Sequence, residues 1–174
     1  NDANCAVFAE WKAGAAKGDK NVVLLTLGTG IGGGLILNGA LFRGATGTGG
    51  ELGHLTIHAD GVPCPCGNTG CFERYCSATA VKVRANGVSP KEVFARASEN
   101  AEYRRIIDQF IHDFQIGLVG IANVFDPDSI LLGGAVTDGV ALYLDKITDW
   151  VKTHAFPAVA QHLQIKTTQF KNLS

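Results

Sequence analysis

Hydrophobic and polar positions along this chain switch between two periods. Val22-Val23-Leu24-Leu25-Thr26-Leu27 is a β-branched and leucine run and predicts a buried strand. Leu35-Ile36-Leu37 is a second apolar run. Asn38-Gly39 after it is a tight hairpin signal, since both residues tolerate positive φ. Ala40-Leu41-Phe42 then reads as the returning strand. Helical spacing is strongest in the middle of the chain. Tyr103, Ile106, Ile107, Phe110, Ile111, Phe114, Leu118 and Ile121 recur at intervals of three and four, which lays one apolar stripe along about five turns. Asp126-Pro127 stops that helix, because the residue before a proline is pushed out of the α region.

The same reading predicts a first helix over residues 3–17, capped by Asn1 or Asp2 and ended by Gly18. Residues 43–50 read as loop, Leu55-Thr56-Ile57 as a short strand, and residues 59–70 as turns. A helix is expected at 77–84, and the capping box Ser89-Pro90-Lys91-Glu92 opens another with proline at its first position. Residues 129–132 form a strand, Gly133-Gly134 a turn, residues 139–152 one helix, and residues 164–170 a last strand. A meander followed by alternating helices and strands predicts an α/β protein with a mixed sheet and helices packed on it.

Composition narrows what such a domain does. Its 174 residues, 46% of them hydrophobic, suffice for one core and are too apolar for a disordered tail. Fifteen basic against sixteen acidic residues leave a formal charge of −1, which argues against a broad nucleic-acid face. No apolar stretch approaches the ~20 residues a spanning helix needs. The unusual start, with no Met anywhere in the chain, and the closing strand lead us to expect a piece of a longer protein.

Glycine and cysteine carry the chemistry. Cys64, Cys66 and Cys71 fall within eight residues, and with no secretory leader in view a metal site outranks a disulfide framework and a cytoplasmic setting is expected. Three thiolates with one imidazole make a closed tetrahedral zinc set, hence a structural one. His54 is favoured as the fourth ligand, with His58 competing and Cys76 a weaker candidate. Gly28-Thr29-Gly30 after a buried strand offers backbone amides and a hydroxyl to phosphate oxygens, although close backbone packing explains the glycines equally well. Gly133-Gly134 repeats the theme. Glu51 and Glu73 bracket the cysteine segment and would be drawn together if metal folds it into a knot. Asp2 at a helix start is either a cap or a functional carboxylate.

Taken together, Asn1-Asp2-Ala3-Asn4, Leu27-Gly28-Thr29-Gly30-Ile31-Gly32-Gly33-Gly34, Gly50-Glu51-Leu52-Gly53-His54, the segment from Cys64 to Glu73 and Leu131-Leu132-Gly133-Gly134 resemble the ROK family of sugar kinases and sugar-responsive repressors, in its glucokinase branch. The resemblance implies the ribonuclease-H-like second domain of the actin, hexokinase and Hsp70 fold, with residues 1–174 as the C-terminal half and a zinc-binding insert at about 54–73. It implies ATP-dependent phosphorylation of a hexose, most of all glucose, at its 6-hydroxyl. Asp2 would be the general base, and Asn1, Glu51, His54 and Glu73 would hold sugar hydroxyls. Gly28, Thr29 and Gly30 match a phosphate motif and Gly133 and Gly134 the adenosine motif for Mg-ATP. His54, Cys64, Cys66 and Cys71 are the implied zinc ligands. Sugar and nucleotide are the implied partners, with a homo-oligomer, a dimer, for the whole protein and neither membrane nor nucleic acid for this domain. The alternative is the effector domain of a sugar-responsive repressor. The family's Asp-x-Gly-Gly-Thr phosphate motif is absent, so the isolated chain is expected to lack kinase activity.

Overall fold

The computed structural model describes residues 2–170, and Asn1 with residues 171–174 lies outside them. The elements run α1 (Asp2–Ala13), β1 (Val22–Leu27), β2 (Ile31–Leu37), β3 (Ala40–Leu41), a 3₁₀ turn (Leu52–His54), α2 (Glu73–Cys76), α3 (Ala78–Arg84), α4 (Pro90–Ala95), α5 (Ala101–Phe125), β4 (Ser129–Gly133), α6 (Thr137–Ala141), α7 (Leu144–His154), α8 (Pro157–His162) and β5 (Gln164–Thr167). One five-stranded sheet has the order β3-β2-β1-β4-β5. β1 to β3 form an antiparallel meander, and β4 and β5 add in parallel on the other side of β1. This is the mixed sheet and the ribonuclease-H-like order expected.

β1 lies at the centre, which is why its sequence is a continuous apolar run. Val22 and Leu24 face one side and pack with Ala6 and Val7 of α1. Val23, Leu25 and Leu27 face the other and join the main core with Phe110, Phe114 and Leu118 of α5. The Asn38-Gly39 turn has both φ angles positive, 51° and 72°, as the hairpin reading requires. A β-carbon at Gly34 would run into the Ala3 carbonyl and Val7, so glycine in β2 lets α1 lie directly on the strand. Close packing thus explains part of the glycine run.

α5 starts where Asn100 accepts hydrogen bonds from the Glu102 and Tyr103 amides at 2.9 and 3.1 Å. It ends at Asp126, which takes a left-handed φ of 44°. The last strand ends at Thr167 and not at residue 170, and three further expectations differ from the structure. The first helix stops at Ala13 because the buried Glu10 carboxylate takes the Ala15 amide at 2.7 Å, and irregular turns carry the chain to Gly18. Residues 55–57 are not a strand: both sheet edges lie elsewhere, and Thr56 makes a single antiparallel bridge with Cys71. The expected helix at 139–152 is two helices, since α6 rests on α4 and α7 on α5, and the chain bends between them at Leu142 and Tyr143. Among the described residues no helix is long and apolar enough to cross a membrane.

Candidate active site and metal centre

The cysteine segment is shaped by its backbone before any metal is considered. The Cys64 amide donates to the Asn68 carbonyl at 2.8 Å and the Gly67 amide to the Cys64 carbonyl at 3.0 Å, with Gly67 at φ +94°. That tight loop places Cys64 and Cys66 side by side. The bridges Thr56↔Cys71 and Pro63↔Thr69 bring Cys71 back against it. The 3₁₀ turn lies against the start of β2, where a β-carbon on Gly53 would strike the Ile31 carbonyl, and this fixes where His54 emerges.

The result is a four-sided cluster. Ligand atoms of His54, Cys64, Cys66 and Cys71 all lie within 4.8 Å of one another. His54 Nδ1 is 3.7 Å from Cys64 Sγ, and Cys66 Sγ is 3.6 Å from Cys71 Sγ. Such a group could hold one metal ion. Cys64 and Cys71 are buried, His54 is half-buried and Cys66 is exposed. The thiols differ accordingly. The Asn68 backbone amide, with help from Cys64, draws Cys66 below its ordinary value. Burial, and then the neighbouring Cys64 and Cys66 thiols, push Cys71 up to about 12. The rival ligands are engaged elsewhere: His58 Nε2 lies 2.9 Å from Asp113, and the Cys76 thiol donates to the Phe110 carbonyl at 3.5 Å.

One face of this cluster borders a cleft of about 520 Å³ lined by Asp2, Gly28, Thr29, Gly30, Glu51, His54, Glu73 and Gly134. Asp2 comes from the first turn of α1, and the glycine loop from the β1–β2 bend. His54 comes from the 3₁₀ turn and Glu51 from the residue before it, Glu73 from the start of α2, and Gly134 from directly after β4. The loop is drawn onto α3, whose Ala78 amide donates to the Gly28 carbonyl at 2.8 Å and whose Thr79 hydroxyl donates to the Thr29 carbonyl at 2.7 Å. Glu73 touches both parts of the site. Its Oε1 lies 3.6 Å from Cys64 Sγ and 4.0 Å from His54 Nδ1. Its Oε2 lies against Gly30.

Gly134 has φ +95°, and a β-carbon there would sit 2.7 Å from the Leu27 amide and carbonyl. Gly133 does not line the cleft; it is buried against Thr168. Asn1 lies outside the described residues. Sequence reasoning missed Thr26 and Ala135 in the cleft wall, which carry no motif, and the buried Asp113 beneath His58.

A family model, the ROK family, matches residues 1–174. The chain belongs to the ROK family. It is 32% identical over 193 residues to a protein named glucokinase from Halalkalibacterium halodurans, covering 99% of this chain and 58% of that one. It is also 32% identical over 170 residues to a protein named xylose repressor from Bacillus spizizenii, covering 95% of this chain and 44% of that one. Among solved structures, a ROK family glucokinase from Streptomyces griseus in complex with glucose and AMPPNP superposes with a TM-score of 0.87 at 31% identity, over 98% of this chain and 62% of that one. The chain therefore spans less than two thirds of the length of these ROK relatives, and its relatives include both sugar kinases and repressors.

Proposed function

We propose that the whole protein of which this chain is the sugar-side half transfers the γ-phosphoryl group of ATP to the 6-hydroxyl of a hexose, glucose above all. The observation that carries the reading is the meeting in one cleft of a lone carboxylate, a glycine loop and a carboxylate–imidazole–carboxylate wall. Phosphoryl transfer is largely a matter of position and charge, so the protein needs little covalent machinery. Asp2 accepts the proton of the attacking hydroxyl. Glu51, His54 and Glu73 fix the ring through directional hydrogen bonds to its other hydroxyls, and Asn1 would add another. Gly28, Thr29 and Gly30 approach the phosphates, and Gly133 and Gly134 form the adenosine side, with Gly134 at the cleft.

The four donors fit zinc. With Zn–S bonds of about 2.3 Å, a tetrahedral site separates two sulfurs by about 3.8 Å, close to the spacing of Cys66 and Cys71. Bound by His54 Nδ1 and the three thiolates, zinc would hold the ring in one tautomer and one direction, leaving Nε2 for a sugar hydroxyl. Its role is structural, and Mg-ATP enters as co-substrate with the rest of the protein.

A second reading has a specific observation behind it: likeness to a protein named xylose repressor over 95% of this chain. A repressor effector domain would use the same sugar wall without turning substrate over. The test is hexose-dependent ADP formation by the whole protein. Turnover with glucose supports the kinase; sugar binding with no ADP, together with sugar-dependent release from DNA, supports the repressor and overturns the proposal.

A further inference from the structure

Asp113 is a charged residue in the wrong place for the apolar stripe of α5, three residues after Phe110 and one before Phe114. It is fully buried. A carboxylate taken out of water is costly unless donors surround it, and removing one partner of such a group is more costly still. Three donors meet it here. His58 Nε2 stands 2.9 Å from Oδ1, Gln109 Nε2 3.0 Å from Oδ1, and Arg84 Nη2 3.5 Å from Oδ2. Because a carboxylate only accepts, His58 donates from Nε2. The three donors come from three parts of the chain: the loop before the cysteines, the same helix and α3.

His58 is built into the knot. Its amide reaches the Gly70 carbonyl at 3.4 Å, and its carbonyl takes the Gly61 amide at 3.1 Å. Gly70 has φ +74°, and a β-carbon there would overlap the His58 carbonyl, so the two backbones lie in contact directly before Cys71. The Tyr75 ring tilts over His58 at 4.5 Å, and its hydroxyl accepts the Val62 amide at 2.7 Å. On the other side of Cys71, Phe72 stacks on Phe114 at 5.7 Å. Between these two anchors the segment has no helix or strand, only two isolated bridges.

We propose that Asp113 is a positioning residue for the metal knot: through His58 and Arg84 it clamps the 55–70 segment to α5 and α3, so that Cys71 and Glu73 are held in place before metal or sugar arrives. The clamp touches neither metal nor sugar. It sets how readily the four ligands separate, and through Glu73 and His54 how well the sugar wall is formed. This deepens the proposed function and rests on the knot binding metal.

The test uses the whole protein loaded with zinc. His58→Phe keeps the ring against Tyr75 and removes the donor at a half-exposed position, leaving Gln109 and Arg84 on the buried Asp113 carboxylate; its circular dichroism spectrum should match the wild type. His58→Gln restores an amide donor. Zinc transfer to a colorimetric chelator is expected to be about tenfold faster in His58→Phe and to return most of the way in His58→Gln, the scale of lost outer support at a metal site. Amide hydrogen exchange at Gly61, Val62 and Gly70 reads the clamp without metal and is expected to rise in the same order. Asp113→Asn keeps one acceptor oxygen for His58 but loses the charge that Arg84 faces, so it should fall between the wild type and His58→Phe in both readouts. Unchanged zinc loss and unchanged exchange in His58→Phe overturn the clamp. If the wild type takes up no zinc, the metal reading fails, and exchange in the loop alone decides the clamp.

Discussion

Glu73 Oε2 occupies the space that a β-carbon on residue 30 would fill, so the glycine loop and the inner carboxylate of the proposed sugar wall are packed as one unit. A glycine that sequence alone ties to phosphate therefore also makes room for Glu73. Gly30 is not at positive φ, so alanine there brings no backbone strain and only displaces the carboxylate. In the whole protein Gly30→Ala should raise the hexose KM about tenfold to a hundredfold, the scale of one lost hydrogen bond to a charged group. Steady-state kinetics with glucose decides it; an unchanged KM would separate Glu73 from the sugar.

Asp2→Asn tests the base. The amide keeps the size of the side chain and cannot take a proton. Turnover should fall by about 10²- to 10⁴-fold, with the sugar KM little changed. Rapid-quench or coupled ADP assays measure this. Retained turnover would assign Asp2, an exposed residue in the first turn of α1, to helix capping alone.

Metal uptake should depend on pH in a defined direction. Metal binds thiolate, and in the metal-free fold burial holds the Cys71 proton up to about 12. The raised value means the metal-free fold binds more protons than the unfolded chain above pH 9, so its stability falls as pH rises from about 9 towards 12. Between pH 6 and 8 that proton must be displaced, and zinc affinity should climb about tenfold per pH unit for each thiol proton released. Competition titrations against a chelator at several pH values measure the slope. A flat profile would mean the thiols are not the ligands.

Much of this was legible in the sequence because the signals were local. The Asn38-Gly39 turn, the Asn100-to-Asp126 helix and the four knot residues each depend on neighbours within a few positions. What was not legible depended on partners far along the chain. The helix break at Leu142 follows from α6 and α7 having different helices beneath them, and residues 55–57 form no strand because neither sheet edge is theirs to join. What engages His58, the rival that the sequence left competing with the favoured His54, is Asp113, which lies 55 residues from His58 and meets it only in the folded chain. A hint was present: Asp113 is the one charged residue among the buried positions of α5, which are apolar apart from it and Gln115.

The central claim is that a metal held by three sulfurs aims the His54 ring at a sugar, and calorimetric titration of glucose into the whole protein before and after zinc removal tests it most directly. Binding should be lost with the metal and return when zinc is restored to one equivalent. Glucose binding of equal strength in the zinc-free protein, with the fold intact, would contradict the account.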